Sequence, residues 1–456
     1  MRFALLLLIT LSSVCLAADR PNFVIILADD MGYGDPGYHG GRAKTPTLDK
    51  LADEGIRLEA HYVHPMCSPT RCALLSGRYA SRFGVTAAQN EQAMPFGTPT
   101  LASILGGAGY DTALIGKWHL GSTMESVPNK FGFGYSYGCL AGGCTPDTHD
   151  YKRGTFQQTW HRNDQFIEQK GHITDLITQE AVQWIDQRGD KPFFLYVPYT
   201  AVHVPIAEPE KWVGMNPQIE DPGHRLYAAD VSHLDDCVRQ ILASLEKKGV
   251  RDNTLVLFFS DNGAHEQLSN KQPLYPGDDT RPDVKVGGVN TPLRGFKTQV
   301  YEGGLRTPAI VYWPAKWKPA KINQPLSVTD WLPTFCALAH VALPANLAHD
   351  GSDISPLLSG TVSEAAFHPH PIYSVSPGFK ARMVRNGPWK LVVNGEKSKK
   401  KEKAGNSDMR ELFNLTDDVS ESKDLLDAQP KIAEELSALL QDFAKDDKPS
   451  VKAAKD

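Results

Sequence analysis

Two continuous apolar runs stand out in the pattern of hydrophobic and polar positions. Residues 22–27 read Asn-Phe-Val-Ile-Ile-Leu, and residues 255–259 read Leu-Val-Leu-Phe-Phe. A strand that faces solvent on one side alternates apolar with polar residues, whereas a strand covered on both faces is apolar throughout. Both runs therefore predict strands that lie inside a sheet.

Helical and extended patterns alternate around these two strands as far as residue 365. Helices are predicted at 45–55, 98–107, 172–187, 225–248 and 328–339. Further strands are predicted at 57–63, 112–115, 193–197 and 309–313. The segments 120–165 and 264–293 have little periodicity and are predicted to be long loops. This alternation is typical of an α/β fold in which helices cover both faces of one sheet.

The composition changes near residue 365, and residues 366–445 are predicted to form a small α+β subdomain. Short strands are expected between 371 and 416, and a helix follows from Pro430. Apolar side chains recur on one face of that helix, namely Ile432, Leu436, Leu439, Leu440 and Phe443. The basic run at 397–403 is interpreted as a solvated loop rather than a polyanion contact, and residues 446–456 as a flexible tail.

Residues 1–17 are interpreted as a signal peptide. Arg2 precedes an apolar run too short to span a membrane, and small residues lead to a cleavage position after Ala17. The main domain would then occupy residues 18–365 of a periplasmic or secreted protein without stable membrane insertion. The chain has 48 basic and 53 acidic residues, a formal net charge of -5, which gives no reason to expect a nucleic-acid partner.

A short helix is predicted to begin beside Cys67. Ser68 suits the N-cap, Pro69 the first helical position and Gly77 the end of the helix. The unpaired backbone N–H groups and the dipole at such a helix start favour an anion and lower the pKa of a thiol. Arg71 would oppose the dipole unless an anion lies between it and the helix start. The alternative is a buried structural cysteine.

Polar pairs follow both buried strands directly, Asp29-Asp30 after the first and Asp261-Asn262 after the second. Ligands of open α/β sheets bind beyond the carboxyl ends of the strands, so these side chains are expected to meet there. Three carboxylates and one amide form an all-oxygen donor set, which suits Ca²⁺ or Mg²⁺ and not zinc. Alternatively, each pair caps a neighbouring helix or turn.

The segment from Cys67 to Arg78 also carries a family resemblance. Its pattern Cys-x-Pro-x-Arg followed by x-x-Leu-x-x-Gly-Arg resembles the signature of the type I sulfatases in the alkaline phosphatase superfamily. Three further segments resemble motifs of that family, namely Gly116–Gly121, His203–Pro205 and Arg294–Lys297. The resemblance implies a large mixed sheet of the alkaline-phosphatase type, with the sulfatase catalytic domain in the main domain. It also implies conversion of Cys67 to formylglycine by a maturation enzyme.

The same resemblance implies a set of ligands and cations around the substrate. One calcium ion, or magnesium in its place, would be held by the four residues beyond the strands and by the modified Cys67. Arg71, Lys117 and Lys297 would surround the sulfate with positive charge, which stabilises the transition state.

The resemblance further assigns the chemical steps. A hydroxyl of the formylglycine hydrate would attack sulfur with help from Asp261, His203 would protonate the leaving alcohol, and His119 would take a proton as sulfate leaves. A phosphodiesterase or phosphonate hydrolase of the same superfamily would tend to have histidine in place of Asn262. A glycan-binding protein with a dead site would be expected to lack one of these groups.

The loop region after residue 134 carries the substrate prediction. Residues 140–151 resemble the loop of arylsulfatase B-type enzymes, which act on N-acetylgalactosamine 4-sulfate. The residues predicted to bind a terminal sugar are His149, Asp150, Arg153, Trp160, His161 and Arg162. The substrate is accordingly predicted to be a sulfated carbohydrate, with an aryl or other small sulfate ester as the alternative. A charged pair such as Asp150 and Arg153 would equally well tie the loop together.

Overall fold

The computed structural model describes residues 20–395 and 409–451. The predicted signal peptide and the basic run at 397–403 lie outside the described residues. Among the residues described, no helix is both long enough and apolar enough to cross a membrane.

Strands and α-helices alternate along the described chain, with short 3₁₀ turns between them. The strands are β1 (Asn22–Ala28), β2 (Ile56–Leu58), β3 (His61–Tyr62), β4 (Asp111–Ile115), β5 (Tyr135–Cys139), β6 (Trp160–Arg162), β7 (Gln165–Phe166), β8 (Phe193–Pro198), β9 (Thr254–Ser260), β10 (Leu268–Ser269), β11 (Lys285–Val286), β12 (Arg306–Thr307), β13 (Ala309–Tyr312), β14 (Ala320–Ile322), β15 (Leu326–Ser327), β16 (Ile372–Val375), β17 (Ala381–Asn386), β18 (Trp389–Asn394) and β19 (Met409–Asn414). The α-helices are α1 (Pro46–Glu54), α2 (Cys67–Ser76), α3 (Leu101–Gly107), α4 (Ile173–Asp186), α5 (Glu210–Val213), α6 (Pro222–Lys247), α7 (Glu302–Leu305), α8 (Trp331–Leu338), α9 (Ser355–Leu358) and α10 (Pro430–Ala444).

One mixed sheet of ten strands forms the centre of the molecule, in the order β14-β2-β13-β9-β1-β8-β4-β5-β6-β7. β1 lies in its middle and pairs in parallel with β8 on one side and with β9 on the other. β13 runs antiparallel to β9, and β6 antiparallel to β5. The predicted large mixed sheet is therefore confirmed, and both apolar runs are interior strands.

Alternate residues of β1 enter two separate hydrophobic cores. Phe23, Ile25 and Leu27 pack with residues of α2, α3 and α8. Val24 and Ile26 pack with residues of α1, α4 and α6 on the opposite face. Burial of each such side chain stabilises the fold by about 1.5–3 kcal/mol. Helices thus cover both faces of the sheet, which explains why this run contains no polar position.

Short edge strands were not predicted correctly. Residues 120–165 include β5, β6 and β7, which extend the sheet beyond β4 and are not loop. The strand predicted at 57–63 is divided between β2 in the large sheet and β3 in a three-stranded sheet with β12 and β15. Within 264–293, β10 and β11 form a small ribbon. Such strands depend on backbone bonds to a neighbour, which a hydrophobic pattern does not record.

Helix α3 begins later than predicted, at Leu101 instead of residue 98. Thr100 is the N-cap residue, and it forms a capping box with Ser103: each side chain accepts a bond from the other residue's backbone N–H. Of the two threonines at positions 98 and 100, it is therefore Thr100 that marks the start of the helix.

The spacing of Cys139 and Cys144 leaves a disulfide between them open. Both residues are buried and have free thiols in the structure. Burial raises the pKa of Cys144 well above its ordinary value, so this thiol is neutral.

The carboxyl-terminal subdomain is a four-stranded antiparallel sheet, β16–β19, on which α10 packs. Leu436 and Leu440 of the helix are buried in the same core as Leu391 of β18 and Leu412 of β19. The other apolar residues predicted on this helix face also contact that core. The predicted α+β subdomain is thus present.

A buried lysine joins this subdomain to the main domain. Lys390 on β18 has no solvent exposure, and its Nζ lies 2.8 Å from Glu302 Oε1 and 2.8 Å from Glu421 Oε1. The Tyr62 hydroxyl donates to the other Glu302 oxygen at 2.5 Å. Glu302 begins α7, a few residues after Lys297, so the subdomain is fixed close to one of the predicted catalytic residues.

Residues 446–451, which were predicted to belong to a flexible tail, form hydrogen bonds with the rest of the chain. The backbone N–H of Lys448 donates to the Ser81 oxygen at 2.9 Å. The Asp447 carboxylate accepts from the Tyr373 hydroxyl at 2.7 Å. Ser81 follows α2 and Tyr373 belongs to β16, so these bonds hold the segment against both. The last five residues lie outside the described part of the chain.

Candidate active site

The polar pairs after β1 and β9 meet at one edge of the sheet, as predicted. Ala28 pairs with Ser260 in parallel register, so the residues that follow lie side by side. The Asp30 N–H donates to Asp261 Oδ1 at 3.3 Å, and Asn262 Nδ2 donates to Asp30 Oδ1 at 2.7 Å. Asp30 has a φ of 64°, a left-handed conformation that costs about 1 kcal/mol or more.

Helix α2 brings Cys67 to the same edge. The helix begins at Cys67 itself, with Met66 as N-cap, and not at Ser68. The sulfur and one oxygen each of Asp29 and Asp261 lie within 4.8 Å of one another. Only 2% of Cys67 is exposed, and burial raises the pKa of its thiol. The lowered thiol pKa expected from the helix start is wrong, because removing the thiolate from water outweighs the helix dipole and the nearby lysines.

Three cations surround the carboxylates, and each donates to one of them. The pairs are Arg71 with Asp261, Lys117 with Asp29, and Lys297 with Asp30. Arg71 donates from two nitrogens to Asp261 Oδ2, at 2.7 and 3.1 Å, and from a third to the backbone oxygen of Lys117 at 2.7 Å. The anion that Arg71 holds is therefore the Asp261 carboxylate. Arg71 and Lys117 are fully buried, whereas Lys297 is partly exposed in a cavity.

The carboxylate cluster has unused oxygen atoms that suit a metal ion. Asp29 Oδ1, Asp30 Oδ2 and Asn262 Oδ1 are buried and have no hydrogen-bond partner among the described residues. Burial and the neighbouring Asp29 raise the pKa of Asp261 to about 6, although two nearby cations oppose this rise. Carboxylates crowded in this way favour a bound cation. The donor atoms are oxygens, which fit a hard ion such as Ca²⁺ or Mg²⁺.

His119 is held beside this cluster with both ring nitrogens unpaired. Its φ is 57°, and the Ser68 hydroxyl donates to its backbone oxygen at 2.9 Å. Neither ring nitrogen has a hydrogen-bond partner within the described residues. Burial, followed by the charges of Lys117 and Arg71, lowers the pKa of His119 well below its usual value. The neutral ring is therefore able to accept a proton.

A glycine allows the neighbouring loop to approach His119. A Cβ atom at Gly142 would lie 2.5 Å from His119 Nε2, which is shorter than any permitted contact. A side chain at position 142 would therefore displace the histidine ring.

His203 lies on the other side of the cluster. Its Nε2 is 3.7 Å from Asp30 Oδ2, and its Nδ1 is 2.5 Å from the Val204 oxygen. Burial lowers the pKa of His203 to about 3, although the Asp30 carboxylate opposes this. An additional negative charge beside the ring would favour its protonated form.

A cavity of about 420 Å³ gives access to Cys67. His119, His203 and Lys297 line it, so the structure brings these predicted residues together. Sequence analysis missed several other lining residues, among them Ala88, Tyr151, Lys152, His265, Gln272 and Tyr275. His265 could have been found from the sequence, because it closely follows the polar pair after β9. The others come from segments without a hydrophobic period, where no signal was available.

None of the six residues predicted to bind the substrate lines this cavity. His149, Asp150 and Trp160 line a separate cavity of about 970 Å³, and Arg162 lines another of about 790 Å³. The structure therefore separates these side chains from the cavity at Cys67, and for residues 160–162 the reason is that they form β6, which lies towards the edge of the sheet that is remote from β1 and β9.

The other two residues predicted to bind the substrate, His161 and Arg153, bond to other parts of the chain. The ring nitrogens of His161 lie 2.8 Å from the Gly138 oxygen and 3.1 Å from Ser136 Oγ. Arg153 donates to the Pro273 oxygen at 2.6 Å. His161 is thereby fixed to β5 and Arg153 to the segment around Pro273, and the alternative pairing of Asp150 with Arg153 stays a prediction.

Known proteins resemble this chain in sequence and in fold. The family model described as Sulfatase matches residues 21–341. Mouse arylsulfatase J is 34% identical over 385 residues, covering 81% of this chain and 60% of that protein. Rat arylsulfatase G is 32% identical over 489 aligned positions, covering 94% of this chain and 88% of that protein. The crystal structure of Ps i-CgsB in complex with k-i-k-neocarrahexaose matches with a TM-score of 0.82 at 28% identity, over 95% of both chains.

The fold and the site together define a hydrolase of sulfate esters. The chain belongs to the sulfatase family, within the alkaline phosphatase superfamily, and is an enzyme. The resemblance carried by the segment from Cys67 to Arg78 is thereby confirmed.

Proposed function

We propose that this sulfatase removes sulfate from a sulfated carbohydrate, with formylglycine at position 67 as nucleophile and one bound calcium ion. The observation that carries the proposal is the position of Cys67, which lies in an accessible cavity beside Asp29 and Asp261. Its sulfur stands in for the hydroxyl oxygens of the formylglycine hydrate. The thiol itself is a poor nucleophile because burial raises its pKa. A maturation enzyme of the producing cell would supply the conversion.

Calcium would be held by Asp29, Asp30, Asp261 and Asn262, and all but Asp261 provide a buried oxygen atom without a hydrogen-bond partner among the described residues. When bound, the ion supplies positive charge that stabilises the negative charge of a reacting sulfate group. Magnesium is the alternative ion, but it demands a stricter octahedral geometry.

The three cations of the site have different roles. Arg71 holds the Asp261 carboxylate from its buried side and orients it towards position 67. Lys297 is the partly exposed cation, so it contacts the sulfate group or the leaving oxygen. Lys117 is buried against Asp29 and adds positive charge from below the cavity. Charges fixed in a dry site act more strongly than the same charges in water.

One hydroxyl of the hydrate at position 67 would attack sulfur and pass its proton to Asp261, and the two histidines move the remaining protons. His203 donates a proton to the alcohol as its bond to sulfur breaks; the anionic sulfate ester beside the ring favours the protonated form that this step needs. His119, which is neutral and unpaired, then accepts the proton of the second hydroxyl at position 67. Loss of that proton re-forms the aldehyde and releases inorganic sulfate.

Separate replacement of the two histidines is expected to give different kinetic defects. His203→Ala should slow esters of basic alcohols by about 10²–10⁴-fold and aryl sulfates with acidic leaving groups much less, because only the former need the proton. His119→Ala should release about one equivalent of alcohol in a burst and then stall. Stopped-flow measurement of alcohol and sulfate release distinguishes them. Equal losses for both ester classes in His203→Ala, or no burst in His119→Ala, would contradict these roles.

Removal of the metal is expected to abolish activity and lower the melting temperature, since the buried carboxylates would lose their counter-ion. Calcium should restore chelator-treated wild type but not Asp30→Ala. Asp53→Ala, at an exposed aspartate of α1, is the matched control and should behave as wild type. Full activity after exhaustive chelation, with no metal found by elemental analysis, would reject the metal site.

Two observations support a carbohydrate substrate. The cavity wall carries two tyrosines, Tyr151 and Tyr275, together with the polar side chains of Lys152 and Gln272. Aromatic faces and hydrogen-bonding groups together suit a sugar ring. Ps i-CgsB, which shares the fold over 95% of both chains, was crystallised with an oligosaccharide. Export through the predicted signal peptide would place the enzyme where polysaccharides occur.

A panel of defined sulfated mono- and oligosaccharides, measured beside aryl sulfates, tests this substrate class. At least one sulfated sugar is expected to show a kcat/KM about 10²-fold or more above that of the aryl esters, because the cavity walls add contacts in the transition state. Tyr275→Phe should lower turnover of that sugar while leaving the aryl esters unchanged. If only small aryl sulfates are hydrolysed, the carbohydrate proposal is wrong.

A further inference from the structure

A second group of metal-binding side chains lies between α4 and α6, outside the cavity at Cys67. It consists of His172, Asp175, Glu208 and His233, and we call it the α4–α6 cluster. One potential ligand atom each from His172, Asp175 and His233 lies within 4.8 Å of the other two. The proposed sulfatase reaction uses none of these residues.

His233 is buried and fixed between two carboxylates. Its Nδ1 lies 2.9 Å from Glu208 Oε2, and its Nε2 lies 3.1 Å from Asp175 Oδ1. The ring of Trp212 stacks on it with centroids 4.6 Å apart. Glu208 is also buried, whereas 34% of the Asp175 side chain is exposed. A buried carboxylate behind one ring nitrogen is the usual support for a histidine that binds metal through the other.

His172 provides a nitrogen that the protein does not use. Its Nε2 lies 3.1 Å from the Ala207 oxygen, to which it donates, so that its Nδ1 carries a free lone pair. That Nδ1 is buried and has no hydrogen-bond partner within the described residues, and only 8% of the side chain is exposed. The two imidazole rings are close, with centroids 5.0 Å apart.

We propose that the α4–α6 cluster binds a divalent ion of the zinc class through His172, His233 and Asp175, with Glu208 supporting His233. Two imidazole nitrogens and one carboxylate match Zn²⁺, whereas Ca²⁺ takes oxygen ligands. This donor set therefore differs from that of the active site, and the two sites select different ions.

The geometry needs little adjustment to hold such an ion. Zinc bound at about 2.0–2.2 Å in tetrahedral geometry places its ligand atoms about 3.4 Å apart. The 3.1 Å between His233 Nε2 and Asp175 Oδ1 is already close to this value. The two separations that involve His172 are at most 4.8 Å; rotation of the partly exposed Asp175 closes one of them, and a small shift of the His172 ring closes the other. A cavity of about 570 Å³, lined by His172 and Glu208, gives an ion access to that side of the cluster.

The competing ligand of this cluster is a proton. A protonated His233 satisfies Asp175 and Glu208 by itself, and the zinc ion must displace the proton on Nε2. A divalent ion also engages the lone pair of His172, which the proton leaves unused. The ion would tie α4, α6 and the segment before α5 together, so its effect falls on stability rather than on the chemical step.

Zinc titration of full-length protein saturated with calcium tests the site, with a chromophoric chelator as competitor and Co²⁺ absorption as a second readout. Wild type is expected to bind about one equivalent of zinc more than His172→Gln or Asp175→Asn, because each removes a ligand. Glu208→Gln should weaken binding about 10–100-fold. Zinc should raise the melting temperature of wild type but not that of His172→Gln or Asp175→Asn. His224→Gln, at a partly exposed histidine of α6 outside the cluster, should bind zinc as wild type does.

Equal zinc binding by wild type, His172→Gln and Asp175→Asn would overturn the proposal. Asp175→Asn keeps the test decisive if replacement of the buried His172 impairs folding, because Asp175 is partly exposed. Sulfatase activity in calcium serves as the folding control for each variant, since the reaction uses none of these side chains.

Discussion

Cys67→Ser is expected to lower kcat/KM for every sulfate ester by at least about 10⁴-fold, in a host whose maturation enzyme accepts only cysteine. Serine has nearly the volume of cysteine, so the fold should survive the change. It supplies one hydroxyl, whereas the aldehyde hydrate supplies one to attack sulfur and a second whose proton leaves to release sulfate. Steady-state kinetics and thermal unfolding, measured on the same preparations, separate loss of chemistry from loss of structure.

Cys72→Ala is the matched control for this experiment. Cys72 lies on the same helix as Cys67, but its sulfur belongs to the hydrophobic core and not to the cavity. The control should keep its activity and lose only some stability. Mass spectrometry of the peptide that contains residue 67 should show formylglycine in active wild type. Active protein with only unmodified cysteine, or a fully active Cys67→Ser, would contradict the proposed nucleophile.

Lys390→Met is expected to destabilise the protein by about 3–5 kcal/mol. Lys390 is fully buried between Glu302 and Glu421, so methionine would remove the counter-charge of Glu421 and leave Glu302 with its longer ion pair to Arg306, at 3.7 Å. Denaturant unfolding followed by both fluorescence and activity measures the loss. We expect activity to fall at lower denaturant than in wild type, since Glu302 lies close to Lys297 in the chain.

Lys380→Met, at an exposed lysine between β16 and β17, is the control and should change stability by less than about 0.5 kcal/mol. The double replacement Glu302→Gln with Lys390→Met should recover part of the loss, because it removes one buried charge along with its partner. Equal stability of Lys390→Met and Lys380→Met would show that the buried ion pairs do not fix the subdomain.

The proposed metal-binding edge of the sheet could be predicted because of where its residues stand in the sequence. Asp29 and Asp261 directly follow apolar runs, and parallel register then brings them together whatever the loops do. Lys297 could be found only through a motif resemblance, since it lies in a segment without regular pattern. The pKa of Cys67 was mispredicted because a local argument about the helix start omits the burial that the whole fold imposes.

The residues that line the walls of the cavity at Cys67 could not be predicted, because their positions also depend on the whole fold. Tyr275 and Gln272 come from a segment whose path depends on contacts with distant loops, and not on a hydrophobic period. Trp160, by contrast, has the chemistry of a sugar-binding residue, but pairing within the sheet places it at another cavity. Residue type indicates what a side chain is able to bind, whereas topology decides which cavity it faces.

The position of β1 in the middle of the large sheet also determines how late in synthesis that sheet is able to assemble. β1 is complete at Ala28, yet its two partners begin only at Phe193 and Thr254. Pairings between segments so distant in the chain form slowly, because the entropy of closing the intervening loop opposes them. Until the ribosome has passed residue 261, Cys67 has no Asp261 beside it and cannot be enclosed as it is in the folded protein. That interval is when the thiol remains open to another enzyme.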